Sequence, residues 1–138
     1  MINQRGFSLL ELMMVVCIIG VLSMIAMTEY NKVHNRAYVG AAVNDVQILR
    51  KALAMYDAEW GAYPQNAEAN VVAFLATLVN PDGQSYIDGP AGGNFSSFQY
   101  TPPASVYGDY EITVVANDMH QTQITVSSDS DMSMVRLN

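Results

Sequence analysis

One side chain stands out for its chemistry, an acid in a stretch that has no ordinary use for one. Glu11 is the single charge among the 21 residues from Phe7 to Met27. An ionised carboxylate at mid-membrane costs roughly 3 kcal/mol on insertion scales, and less near the end of a span, where it can reach the interface. The helix dipole also favours an acid in the first turns. Glu11 is therefore either a tolerated, snorkelling acid or a group kept for a partner. The other reactive residue types offer less. His34 and His120 sit in no nucleophile or metal spacing, and neither has a cysteine partner outside the apolar run, so no triad and no zinc site is suggested. Cys17, the single cysteine, lies inside that run and reads as a small apolar side chain, because thiolate chemistry needs an electropositive, accessible setting. Asp129 and Asp131 are a candidate pair for calcium, but Asp129-Ser130-Asp131 lacks the glycine and distal Glu of an EF-hand loop and reads first as a solvated turn. An enzyme is the least supported class, and no cofactor is expected.

The elements that must carry these residues follow from periodicity. Phe7 to Met27 is about as long as the ~20 residues that cross a ~30 Å hydrocarbon core. Gly20, with Ser23 three residues on, offers a small-residue patch for close helix packing. The helical pattern then continues: Val39, Ala42, Val46, Leu49, Leu53, Tyr56 and Trp60 form one apolar stripe, while Asn44, Asp45, Gln47, Arg50, Lys51 and Asp57 leave the other faces wet. A helix from Phe7 to Trp60 would be roughly 80 Å long at ~1.5 Å per residue. Gly61 is its expected C-cap, and Pro64 bars continuation. A second helix is expected from an Asn66 cap to about Val79, with residues 82–93 as loop. Strand patterns follow at Phe98–Thr101, Tyr110–Ala116, Gln121–Ser127 and Met134–Leu137, with Asn117-Asp118 at a hairpin turn. The fold class is α+β: a long N-terminal helix, transmembrane in its first half, and a small antiparallel sheet laid on the stripe of its second half. The aromatic residues Tyr56 and Trp60 belong to that stripe, and Tyr30 reads as an interface anchor, which leaves little case for an electron-carrying stack.

Charge is as unevenly divided as hydrophobicity. The formal net charge is −7. From Ala52 onward, Asp57, Glu59, Glu68, Asp82, Asp88, Asp109, Glu111, Asp118, Asp129 and Asp131 face one base, Arg136. Such a surface repels phosphate backbones and argues against nucleic acid as a partner. Arg5 on one side of the span, and Lys32 and Arg36 offset by Glu29 on the other, leave orientation open by charge counting.

With Arg5-Gly6-Phe7-Ser8-Leu9-Leu10-Glu11 ahead of an apolar run, the sequence resembles the type IV pilin and type II secretion pseudopilin family. Its precursors carry a short basic leader, Gly before the cleavage point, usually Phe after it, and Glu as the fifth mature residue. The likeness is strong over about the first thirty residues and holds in outline beyond. It implies residues 1–6 as leader, 7–28 as the transmembrane segment and 29–138 as a pilin-like head that includes the amphipathic second half of the helix. It also implies a membrane-embedded prepilin peptidase cutting after Gly6, whose missing side chain allows close approach to the bond. N-methylation of Phe7 would follow. In a filament, Glu11 would pair with the ammonium of a neighbour's Phe7 and set the axial register, since an unpaired buried charge is strongly penalised. Gly20 matches a glycine common in the family's span. Thr28 stands where many members have proline, so the helix is expected to run straighter. Neither a C-terminal disulfide nor the usual calcium run of major pseudopilins is matched.

The resemblance implies a structural subunit of a type IV pilus or type II secretion pseudopilus, in a Gram-negative inner membrane as precursor with its head in the periplasm, then in a filament that can reach the cell surface as a fimbrium. Its partners would be other copies of itself, the prepilin peptidase, the inner-membrane assembly platform and, before assembly, membrane lipid. The alternative is a monomeric, signal-anchored periplasmic binding module.

Overall fold

A computed structural model describes residues 7–87, 93–105 and 108–137. Helix α1 spans Leu9–Trp60 and short helix α2 spans Val71–Thr77; strands β1 (Phe95–Thr101), β2 (Glu111–Ala116), β3 (Thr122–Ser127) and β4 (Ser133–Arg136) follow. The chain divides into two compact units, Met1–His34 and Asn35–Asn138.

In the first unit the helix is exposed along its length, apolar side chains included. It is long and apolar enough to cross a membrane. Helical structure is unbroken at Thr28, whose hydroxyl donates back to the Ile25 carbonyl at 2.8 Å. Lys32 Nζ and Glu29 Oε1 form an ion pair at 2.7 Å.

In the second unit, Ala42, Val46, Leu49, Ala52 and Leu53 of α1 are buried with Phe74 and Leu78 and with the inward residues of a four-stranded antiparallel sheet of order β1-β2-β3-β4. Strand alternation puts Ile112, Val114 and Ala116 of β2 and Ile124 and Val126 of β3 into this core. The other faces of β2 and β3 remain half-buried to exposed. Each large apolar side chain so buried contributes about 1.5–3 kcal/mol. Strand β1 breaks strict alternation because its register with β2 shifts between Phe95 and Ser97, a bulge that turns Phe95, Phe98 and Tyr100 all inward. Gly61 ends α1 in the left-handed region, at φ +72°, and its N–H donates to the Asp57 carbonyl at 2.8 Å, as expected of a C′ glycine. Rings then link across the unit, Tyr63 on Tyr110 at 4.8 Å and Tyr100 on Phe74 at 4.5 Å between centroids.

Three local expectations are corrected. The second helix starts at Val71, capped by Asn70 rather than Asn66. The Asn70 side chain accepts from the N–H groups of Val72 (2.8 Å) and Ala73 (3.3 Å). Helix is denied to the preceding residues because Glu68 pairs its backbone with Tyr100 at the sheet edge, and the helix closes at Thr77, before Val79 bridges Ser85. Asp45 is not on a wet face. It is 8% exposed and accepts from Asn94 Nδ2 at 2.6 Å, which is how a carboxylate is accommodated at the rim of an apolar core. Trp60 is 50% exposed, with its ring stacked on Tyr56 and its Nε1 donating to the Val79 carbonyl at 3.2 Å. It closes the end of the stripe instead of filling the core. Strand limits differ from the expected ones by a few residues at most.

Candidate functional site

The N-terminal segment carries the residues singled out from the sequence. Gly6 lies outside the described residues. Phe7 is 76% exposed, and Ser8 precedes the first helical residue, Leu9. The Ser8 N–H donates to Glu11 Oε2 at 3.1 Å, and the Ser8 carbonyl accepts from the Leu12 N–H at 3.2 Å. Ser8-Leu9-Leu10-Glu11 is thus the Ser-x-x-Glu pattern of a capping box, in which the acid three residues into the helix satisfies an orphan donor at its start. The early position of Glu11 and the helix dipole do not by themselves reveal this bond; the signal for it in the sequence is Ser followed three residues later by Glu.

The contact gives Glu11 a role within its own chain, and it also fixes the carboxylate beside the backbone of Phe7 and Ser8. A carboxylate accepts through two oxygens and up to about four lone-pair sites. Among the described residues it accepts this one amide bond, which leaves capacity for a second donor. The structure brings Glu11 to the helix start and does not bring Gly20 or Ser23 to any partner: both are exposed, and a Cβ added at Gly20 would meet nothing within 4 Å.

The remaining candidates sit in the head. Asp129 and Asp131 are both exposed on the connection between β3 and β4. Asp129 lines an open depression of about 350 Å³ together with Asp57, Tyr63 and Asp109; Asp131 does not. Among the described residues no three His, Cys, Asp or Glu side chains converge to hold a metal ion. Ser128 Oγ donates to Asp109 Oδ1, and Arg50 Nη2 reaches the Ser128 carbonyl at 3.3 Å, so the depression is tied together by its own side chains. Burial raises the Tyr63 phenol above its ordinary value, with Asp57 and Asp109 adding to the rise and Arg50 opposing it.

Comparison with known proteins agrees with the first turns of the helix. The prokaryotic N-terminal methylation motif matches residues 1–27. Type II secretion system core protein G of Klebsiella pneumoniae is 31% identical over 105 residues, covering 76% of this chain and 73% of that protein. The chain belongs to the type IV pilin and type II secretion pseudopilin family. The core protein G of Pectobacterium carotovorum subsp. carotovorum is likewise 31% identical over 105 residues, and a fimbrial protein of Pseudomonas aeruginosa is 35% identical over 89 residues, 61% of this chain. The chain spans only 65% and 58% of those two relatives' lengths, respectively. No solved structure matches it. The matched motif includes the segment in which Glu11 accepts from the Ser8 N–H, directly after Phe7.

Proposed function

We propose that the chain is a structural subunit of a helical filament, a pilus or a secretion pseudopilus, made as a precursor anchored in the inner membrane by residues 7–28, with residues 29–138 as its periplasmic head. The prepilin peptidase cuts after Gly6, and the new Phe7 amine is methylated. The assembly platform then draws the span out of the membrane into a bundle of like helices. There Glu11 accepts from the Phe7 ammonium of a neighbour, and Gly20 with Ser23 allows close approach. The observation that carries this reading is Glu11 itself: one carboxylate at the head of an otherwise apolar run, residues 7–27, that is exposed along its length, with accepting capacity beyond its bond to Ser8. Its relatives are named for secretion and fimbrial structures and not for a reaction, and the chemistry of the described residues suggests none.

The capping contact favours one rival, a lone anchored binding module in which Glu11 serves only its own helix. Intact mass spectrometry of membrane-extracted protein, with electron microscopy of material sheared from cells holding the assembly machinery, tests the proposal. It requires a mature chain starting at methylated Phe7 and filaments containing it. A full-length mass, or cleavage beyond Met27, rejects it.

A further inference from the structure

We propose that the outward face of the head's helix binds the acidic sheet end of a second copy of this chain, through Arg36 and Lys51. This rests on the filament reading above and adds which surfaces of the head meet.

Opposite the buried stripe, α1 presents Arg36, Gly40, Asn44, Gln47, Lys51 and Ala54, all exposed. At 3.6 residues per turn these fall within about 80° of one another, so they form one face. It carries two cations and no acid. The neighbouring bases are engaged within the chain, Lys32 with Glu29 and Arg50 with the Ser128 carbonyl. Arg36 and Lys51 make no ion pair or hydrogen bond among the described residues.

The complementary surface lies at one end of the sheet. Glu111 pairs with Ser127 in the β2–β3 register, which sets the residues entering β2 beside those leaving β3. Asp109, Asp129 and Asp131 are exposed there, and the first two share their depression with Asp57. Arg136, the base of the sheet, pairs with Thr122 at the opposite end of β3 and does not offset them. Among the described residues each head therefore has a cationic face and a separate anionic end; Arg50, which reaches the Ser128 carbonyl, is a base beside that end and leaves the carboxylates of Asp109, Asp129 and Asp131 in excess.

Two copies cannot join like to like, because bringing the same patch together juxtaposes equal charges. Face to end is the attractive arrangement. The filament reading requires the heterologous form of this contact, in which each copy offers its helix face to one neighbour and its acidic end to the next. Repetition of such a contact gives an open helical array unless the rotation closes a ring. This is why the occupant is a second copy and not an anionic polymer, which the acidic end would repel.

The test uses the full chain in cells carrying its assembly machinery, with membrane level and leader removal followed beside sheared-filament yield. Arg36→Glu combined with Lys51→Glu should lower filament yield by about tenfold or more, because like charges across an interface cost more than the ~1.4 kcal/mol of a tenfold change. Asp109→Lys with Asp129→Lys should do the same, and all four together should recover yield to within about threefold of wild type. Lys51→Cys with Asp129→Cys, in a Cys17→Ser background, reads the contact without reversing any charge. Oxidised filaments should give a ladder of covalent oligomers. Normal yield from the Arg36/Lys51 variant, or filaments whose cysteines do not cross-link, overturns the pairing. Absence of filaments from the wild type overturns the filament reading and the pairing together, so the two failures are distinct.

Discussion

Glu11→Gln separates the capping role that the structure shows for this residue from the assembly role proposed for it. The Ser8 N–H is bound by one oxygen of the side chain at 3.1 Å, and glutamine can supply an amide oxygen to the same donor, as it does in other capping boxes. What it cannot supply is charge. Within one chain the loss is the favourable interaction with the helix dipole, about 0.3–1 kcal/mol, offset by easier burial in the membrane. Between chains the loss is larger. A neighbour's Phe7 ammonium, drawn into a bundle of apolar helices without its partner, costs about 3–5 kcal/mol, which is a factor on the order of 10² to 10⁴ in association at each contact.

Leader processing and membrane level should therefore match wild type, while sheared filaments disappear. Glu11→Leu should fail equally, although it also removes the cap. The comparison of the two is the assay, run as quantified filament yield from matched cultures. If Glu11→Leu is defective and Glu11→Gln assembles normally, the carboxylate is needed only as a helix cap. The intersubunit charge pair would then be refuted.

The head yields further expectations, each measurable by denaturant titration of a soluble head beginning near Asn31. Trp60→Ala should cost about 1–2 kcal/mol, below the 3–5 of a buried ring, because what is lost is a stack on Tyr56 and one exposed hydrogen bond; a larger loss would mean that the ring is covered. Tyr100→Phe should cost about 1–3 kcal/mol, since the fully buried hydroxyl donates to the Pro64 carbonyl at 2.8 Å and the carbonyl would be left unpaired; an unchanged midpoint would contradict that bond. At Asp118, burial pushes the carboxyl upward but is outweighed by donors, the Thr122 N–H (2.7 Å), its hydroxyl (2.8 Å) and the His120 backbone, so the folded value lies below the ordinary 3.8. Its contribution is then complete above that ordinary value and is lost as pH falls through the lowered one. Asp118→Asn should reduce stability at neutral pH and shrink the difference between pH 7 and pH 3; an unaltered acid slope would refute the assignment.

Most of the architecture was legible because it rests on period. A three-four spacing from Val39 to Tyr56 and alternation in β2 and β3 each describe a face that must be covered, and the covering elements are each other. Where a different interaction decides the outcome, the pattern misled. Asn66 and Asn70 are equally good caps by type, and the choice falls to Asn70 because Glu68 is held in extended backbone by Tyr100, about thirty residues away in sequence. Asp45 looks wet by type and is buried because Asn94, from the approach to β1, meets its carboxylate. Trp60 keeps the helical spacing of the stripe, but the core ends one turn earlier, and spacing carries no information about where coverage stops.

The site shows the same division. Glu11 stands out by residue type and position, since a lone acid in an apolar helix has few ordinary uses, whereas Phe7 is singled out only by its place in the family's motif. What lay beneath that reading was local chemistry: the acid closes the first turn on Ser8. The cap and the proposed charge pair are compatible because they draw on different properties of one carboxylate. A cap needs an acceptor near the helix start, and glutamine would serve. A buried ammonium needs a negative charge, and glutamine would not. Capping also orients the group. Held to the Ser8 amide, the carboxylate has fewer conformations to give up when a neighbour's Phe7 arrives, so less conformational entropy is lost in forming the pair. On the proposed filament reading, a cap that looks like a rival explanation for Glu11 would therefore prepare the acid for assembly, with serine at position 8 as part of that preparation.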